Sequence, residues 1–448
     1  MFGIISLLPA LIAIILAIFT KRILISVFIG ILLGSFMITG SLYPSAKKSV
    51  EYLVDVIADV DNTIIMLFLL TFGGFVGVLE GVGGLETFGK WISKKVKSKK
   101  GIIASTWLLG LATFLDCCYH NLITGTVMKK VFDKFKMSRE KLAYIIDSTS
   151  PPWVILVPIT TFTGFVVGVI GKSFDAVGIT QDAFTVYLQT IPLNFYAIVA
   201  TLLALIIPMF RDFGKTIRPR RERKHIDHCC EMTGKGNLYD FVIPILTVTI
   251  VVLLLFFSGE GFMFSMLLAI LSGIGVSGLL FIPRKLISLD EFGKHFKSGV
   301  MMFLTPIAVL WLTWALAEVS TDIGMTSFVI DFIRDVGLPG YLLPLTIFLV
   351  GCFVSYTLGT SWGTWALLMP IAVPLAVGTN APLVLTIAAV LSGGVFGDQC
   401  SPLSETTITA SSGAGCEIID HVNTQMPYGL LGLVIAAGLF LIFGLMLW

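Results

Sequence analysis

The chain has 448 residues with 30 Lys and Arg against 28 Asp and Glu, so charged residues make up 13%, where a soluble protein carries about 25%. Apolar residues reach 56% and mean hydropathy is +0.94, which excludes both a soluble globule and a disordered chain. A net charge of +2 leaves no basic face for nucleic acid, and seven cysteines in mostly apolar surroundings are no secreted disulfide framework.

The predicted class is therefore an all-α polytopic membrane protein. Apolar runs long enough to cross roughly 30 Å of hydrocarbon lie at 3–20, 23–43, 62–83, 142–171, 188–210, 240–257, 261–282, 299–318, 383–413 and 427–448. The first run lacks a positive start and is followed at once by Lys21-Arg22, so it reads as a span, not a cleaved leader. The stretch 101–128 is different, because Asp116-Cys-Cys-Tyr-His120-Asn121 interrupts it. Six lysines from Lys90 to Lys100 precede it, and six basic residues from Lys129 to Lys141 follow. A single crossing would strand one cluster outside, whereas entering and returning keeps both inside. It is predicted as a re-entrant hairpin, and 339–377, broken between Ser355 and Thr364, as its counterpart from the other side. This topology places 26 of the 30 Lys and Arg inside, with Lys47, Lys48, Lys172 and Arg334 outside. Both termini and the acidic 51–61 loop are then extracytoplasmic, in a protein of the cytoplasmic membrane. Irregular backbone at that depth needs protein or a wet cavity to satisfy it, so the hairpins suggest a permeation path.

The charged segment 211–238 is a cytoplasmic linker dividing two halves, 1–210 and 239–448, that resemble each other. Phe114-x-Asp116 echoes Phe353-x-Ser355, and Asn121 echoes Thr360, at an offset of 239. Asp147-Ser-Thr-Ser-Pro-Pro152 echoes Asp398-Gln-Cys-Ser-Pro-Leu403 at an offset of 251. Each half carries five spans and one hairpin, an odd number of crossings, so the second enters inverted. Paired inverted repeats with broken segments point to a secondary transporter whose site lies at the repeat interface. Chance similarity between apolar sequences is the competing account.

Proline opens a membrane helix locally by removing an amide donor and freeing a carbonyl. Asp147, Ser148, Thr149 and Ser150 before Pro151 offer a carboxylate, hydroxyls and loosened carbonyls, and the second copy offers Asp398, Gln399, Ser401, Ser404, Glu405 and Thr406. All-oxygen ligands suit a hard cation, with Na⁺ expected at Asp147, Ser150, Asp398 and Ser401. Hydroxyls that merely cap helix breaks are the plainer alternative. Asp116, with His120 and Asn121 beside it, and Asp147 are candidate proton-exchanging groups, His120 titrating in the useful range. A neutral His120 satisfied by the backbone is the alternative. Ser355, Thr360, Ser361 and Thr364 at the second hairpin tip, among glycines, would let backbone approach a ligand. His225, His228, Cys229, Cys230 and Glu231 in the linker could bind a transition metal or form a solvated loop, since their spacing matches no strong ligand pattern. No P-loop, nucleophile elbow or zinc-protease helix is present, which disfavours an ATP-driven pump and an enzyme.

Gly397-Asp-Gln-Cys-Ser-Pro-Leu-Ser-Glu-Thr-Thr407, Gly359-Thr-Ser-Trp-Gly-Thr364 and Arg139-Glu-Lys-Leu-Ala-Tyr-Ile-Ile-Asp-Ser-Thr149 resemble the NhaC-type Na⁺/H⁺ antiporters of the ion transporter superfamily, over nearly the whole chain. The resemblance implies an inverted-repeat fold with two re-entrant hairpins that moves as an elevator against a scaffold. Homodimers are common among such transporters. The family includes exchangers of organic acids and amino acids. The chain departs from the pattern at Gln399, where many members carry His, at Glu405, where Asp is commoner, and at Cys117, which interrupts a frequent acidic pair.

The expected function is secondary transport, Na⁺/H⁺ antiport first, with membrane lipid and a small cation as partners and no cofactor beyond Na⁺ as coupling or transported ion. Na⁺- or H⁺-coupled movement of a small carboxylate or amino acid, on the malate/lactate pattern, is the second expectation, and a passive channel the third.

Overall fold

The structure, a computed structural model, describes residues 2–20, 22–83, 96, 98–213, 236–258, 262–325, 328 and 339–448. The linker cluster of His225, His228, Cys229, Cys230 and Glu231 lies outside the described residues, as does most of the lysine cluster before the first hairpin. Nineteen α-helices and no strand are found among the described residues. Seven helices are long and apolar enough to cross a membrane by length and composition, and two bent pairs bring the number to nine.

In the first half, α1 (Leu8–Thr20), α2 (Ile23–Thr39), α3 (Leu42–Ala58) and α4 (Val60–Val82) come first. The first broken stretch follows as α5 (Lys99–Ala112) and α6 (Cys117–Lys134). Then come α7 (Arg139–Asp147), α8 (Ser150–Leu156), α9 (Thr161–Asp175), α10 (Ala183–Thr190) and α11 (Phe195–Phe210). The second half holds α12 (Leu238–Phe257), α13 (Phe262–Phe281) and α14 (Leu289–Asp322), then α15 (Leu343–Leu358) and α16 (Ser361–Thr379). It closes with α17 (Leu383–Cys400), α18 (Glu405–Ala414) and α19 (Ile418–Leu447).

Local chemistry sets these boundaries. Ser98, Ser138, Ser288 and Ser404 cap α5, α7, α14 and α18 by accepting from the amides of Gly101, Lys141, Glu291 and Thr406. Pro151-Pro152 start α8, where a missing amide hydrogen costs nothing. Gly359 closes α15 at φ +71°, a conformation glycine adopts without steric penalty.

Several expectations change in detail. Residues 51–58 of the expected 51–61 loop are the end of α3, an amphipathic helix that buries Ser45, Ser49, Tyr52 and Val56 on one face, and α4 begins at Val60. The first hairpin breaks at Thr113–Asp116, so Cys117 to Asn121 form the opening turns of α6 and not a tip. The second breaks at Gly359-Thr360, and its arms Gly340–Leu358 and Ser361–Thr379 are each long enough to cross alone. The runs 3–20, 23–43 and 240–257 appear as shorter apolar helices, Gly3–Ala17, Ile23–Thr39 and Tyr239–Val252. The run 188–210 bends by 43° between Leu193 and Phe195.

Two sets of helices pack internally. One joins α4 to α14 and α13, α1 to α2, and α2 and α3 to α14. Where α4 crosses α14, a Cβ on Gly299 would lie 2.0 Å from the Gly73 carbonyl oxygen, so the crossing needs glycine on one helix. The other set packs α15 on α17 and α16, α6 on α18 and α7, and α11 on α19. Helix α9 touches both, through α16 on one side and α4 and α14 on the other. There the Trp314 indole donates to the Gly168 carbonyl at 3.2 Å, and Lys172 meets Glu318 at 2.8 Å.

Candidate functional site

Asp147 ends α7, where the helix breaks before Pro151, and it is fully buried. Burying an unpaired carboxylate costs several kcal/mol even after relaxation, so its partners define the site. All are in the second half. The Gln425 amide donates to Asp147 Oδ2 at 2.9 Å, and His421 Nε2 lies 3.0 Å from the same oxygen. The Thr407 hydroxyl is 3.2 Å from Asp147 Oδ2 and 3.0 Å from the Asp398 carbonyl oxygen. Asp147 Oδ1 is buried with no hydrogen-bond partner.

The next residue continues the contact between halves. Gln399 Nε2 donates to Ser148 Oγ at 2.7 Å, while the Tyr196 hydroxyl donates to Gln399 Oε1 at 2.7 Å. Gln399 is thereby satisfied at both ends of its amide, with one partner on the first broken helix and one on α11.

Asp398 lies in the last turn of α17, which ends at Cys400 before the break at Ser401–Ser404. Its Oδ1 accepts from the Ser361 amide at 2.8 Å, which charges the start of α16 favourably. The Thr406 hydroxyl donates to the Asp398 carbonyl at 2.7 Å, filling an acceptor that the break releases. Ser404 Oγ caps α18 and reaches Thr406 Oγ1 at 2.9 Å, and Ser401 Oγ accepts from the Leu403 amide at 3.2 Å. Glu405 is exposed in the first turn of α18, apart from this buried group.

At the first hairpin, Asp116 is buried immediately before α6, and its carbonyl accepts from the His120 amide at 3.0 Å. His120 Nδ1 is 2.5 Å from Thr113 Oγ1 and 3.3 Å from Thr124 Oγ1, and Nε2 is 3.2 Å from Thr149 Oγ1. Hydroxyls therefore occupy both ring nitrogens, and the ring ties the hairpin to the broken helix. Thr149 itself donates to the Ile145 carbonyl at 2.7 Å, and Ser150 donates to the Cys117 carbonyl at 2.9 Å. Asn121 donates to the Thr406 carbonyl at 3.0 Å and to Thr409 Oγ1 at 3.3 Å, leaving its Oδ1 buried without a partner.

At the second hairpin, Ser355 donates to the Gly393 carbonyl at 2.6 Å, and Thr364 to the Thr360 carbonyl at 2.8 Å. These two hydroxyls serve helix packing. Ser361 Oγ is buried without a partner.

The structure thus joins Asp147 and Asp398 through Thr407, and Ser148 and Gln399 directly. Ser150 and Ser401 are buried but bonded to separate backbone groups. Among the described residues no cluster of three or more His, Cys, Asp or Glu side chains is placed to hold a metal ion. Thr407, the last residue of the second motif, and His421, Gln425 and Tyr196, which no motif contains, complete the buried network. One signal existed: His421 and Gln425 stand four residues apart, so they share a helix face, on the flank of an apolar run.

Residues 153–445 match the model of the Na⁺/H⁺ antiporter family. An uncharacterized protein of Haemophilus influenzae is 32% identical over 94% of this chain and 87% of its own length. The arginine/ornithine antiporter ArcD of Halobacterium salinarum is 31% identical over 35% of this chain and 32% of its own. Neisseria gonorrhoeae MtrF, described as one of a class of antimetabolite efflux pumps, shares the fold with a TM-score of 0.62 at 12% identity, over 91% of this chain and 85% of MtrF.

Proposed function

This chain belongs to the Na⁺/H⁺ antiporter family, a family of membrane transporters, and on that premise we propose that it exchanges Na⁺ for H⁺ at the Asp147 carboxylate. The observation that carries the reading is the state of that group. Asp147 is wholly buried and held at Oδ2 by neighbours from the other half, while Oδ1 faces no protein donor. A carboxylate oxygen of that kind accepts either a proton or a dehydrated cation, and each neutralises a charge that is costly to bury. Because both compete for one oxygen, the site carries one or the other, and alternating access turns that competition into antiport.

The two-body packing suits an elevator. The set with both hairpins and both broken helices would move against the set built on α4 and α14. The contacts between the halves favour an inverted repeat. Gly125 on α6 packs on Gly413 of α18, and the helices at the counterpart positions, α16 and α9, also pack on each other, with the Trp365 and Phe162 ring centroids 4.8 Å apart. A twofold relation between halves requires this reciprocity.

A second reading keeps the fold and changes the cargo to an amino acid or small carboxylate. It is favoured by the likeness to an arginine/ornithine antiporter and by the buried, unpartnered Asn121 Oδ1 and Ser361 Oγ at the two hairpins. Thermal-shift measurements with amino acids and organic acids, with and without Na⁺, separate the readings. Stabilisation by Na⁺ alone supports cation exchange; a large further shift with one metabolite supports the second reading.

A further inference from the structure

We infer that Gln425 is a direct oxygen ligand of the transported cation, forming with Asp147 a two-oxygen alkali-cation site whose geometry His421 holds in place. The inference rests on the Na⁺ reading above and goes beyond it by assigning a ligand on α19.

Donor counting gives the argument. A carboxamide has two N–H donors on nitrogen and only acceptors on oxygen. Both Gln425 donors are used, one on Asp147 Oδ2 at 2.9 Å and the other on the Gln399 backbone carbonyl. Both of those partners are acceptors only, so the amide cannot turn over without setting oxygen against oxygen at two places. Gln425 Oε1 therefore points away from both, and it is buried with no hydrogen-bond partner, as is Asp147 Oδ1. Since Gln425 Nε2 bonds the Asp147 carboxylate, the two bare oxygens belong to groups already in contact. Two acceptors left without a donor in a buried setting are costly to a protein alone, and they are what a dehydrated Na⁺ takes as ligands.

His421 completes the arrangement. It stands one turn before Gln425 on α19, and its Nε2 meets the same Asp147 Oδ2 at 3.0 Å. With Thr407, these side chains occupy Oδ2 and leave Oδ1 for the cation. His421 is thus a positioning residue, and Gln425 a ligand. Both are buried, at 0% exposure, in the polar first turns of a helix that is apolar from Tyr428 onward.

The test is a NaCl titration of the thermal stability of the full chain in detergent, at constant ionic strength with choline chloride, for wild type and five variants. Gln425→Met keeps the volume and loses the oxygen, and the Na⁺ concentration at half-maximal stabilisation should rise by about tenfold or more. Gln425→Glu keeps an oxygen and should retain a Na⁺ response. His421→Gln, which can still donate to Asp147, should bind Na⁺ nearly as wild type, whereas His421→Leu should weaken it. A wild-type response in Gln425→Met, with Asp147→Asn abolishing it, overturns the Gln425 assignment and leaves the exchange reading standing. No Na⁺-specific response in wild type overturns both.

Discussion

Gln399 donates its side-chain amide to Ser148 Oγ across 251 residues of sequence, and 251 is also the offset that carries Asp147 to Asp398 and Ser150 to Ser401. Each residue of the pair is therefore the other's counterpart in the proposed repeat. A position can touch its own counterpart only beside the axis that relates the halves. The two broken helices meet at this pair, and Asp147 is the residue beside Ser148.

Gln399 connects Ser148 to Tyr196, so its loss should be felt as stability. Gln399→Leu takes from buried Ser148 its amide donor and from Tyr196 the shorter of its two contacts, at about 1–3 kcal/mol for a group left unpaired. Tyr196→Phe removes the bond to Gln399 and the long 3.7 Å contact with Cys400 Sγ, leaves Ser148 paired, and should cost less. Thermal denaturation of the two variants checks the order; equal stability of Gln399→Leu and wild type would contradict the network.

Close approach of α6 and α18 makes Gly125 intolerant of any side chain. A Cβ there would lie 2.6 Å from the backbone carbon of Gly413, which cannot move aside as a flexible side chain would. Gly125→Ala should lower thermal stability and transport together. Gly275→Ala, in α13 with nothing within 4 Å of the added atom, should leave both unchanged.

Lys141, buried near the start of α7, bonds Asp212 Oδ1 at 2.6 Å and the Pro208 carbonyl at 3.1 Å. Asp212, whose side chain is 80% exposed, lies just past the end of α11, and the hydrogen bond and charge of Lys141 hold its carboxyl below the usual range. A depressed folded-state value means the stabilisation is present above the unfolded value of about 4 and fades as pH falls through the folded one. Asp212→Asn should therefore melt below wild type at neutral pH, with the gap closing only in strong acid. Melting curves across pH check this, and a gap that widens in acid would contradict it.

Much of the frame was legible in the residues. Scarce charge marked the membrane class, and Asp147-Ser-Thr-Ser-Pro-Pro152 and Asp398-Gln-Cys-Ser-Pro-Leu403 marked the broken helices, because proline and clustered hydroxyls have few other uses inside a span. The partners of Asp147 were harder to see. Ile418 to Pro427 carries Asp420, His421, Asn423 and Gln425, which lower local hydropathy, so the last span was placed from 427 although the helix starts at Ile418. His421 and Gln425 among them are buried and bond to Asp147, 274 and 278 residues away, and hydropathy cannot separate that from an exposed flank. Amphipathic α3 was hidden similarly by its charges. The break before α11 centres on Asn194, whose Oδ1 accepts from Ser392, a contact 198 residues distant that no local pattern announces.

Alternation of Na⁺ and H⁺ on Asp147, as proposed, would appear as ion exchange in proteoliposomes. A Na⁺ gradient imposed on vesicles holding the purified wild-type chain and a trapped pH dye should drive proton movement in the opposite direction, and Asp147→Asn should abolish it. Normal Na⁺-driven proton movement in Asp147→Asn would contradict the account.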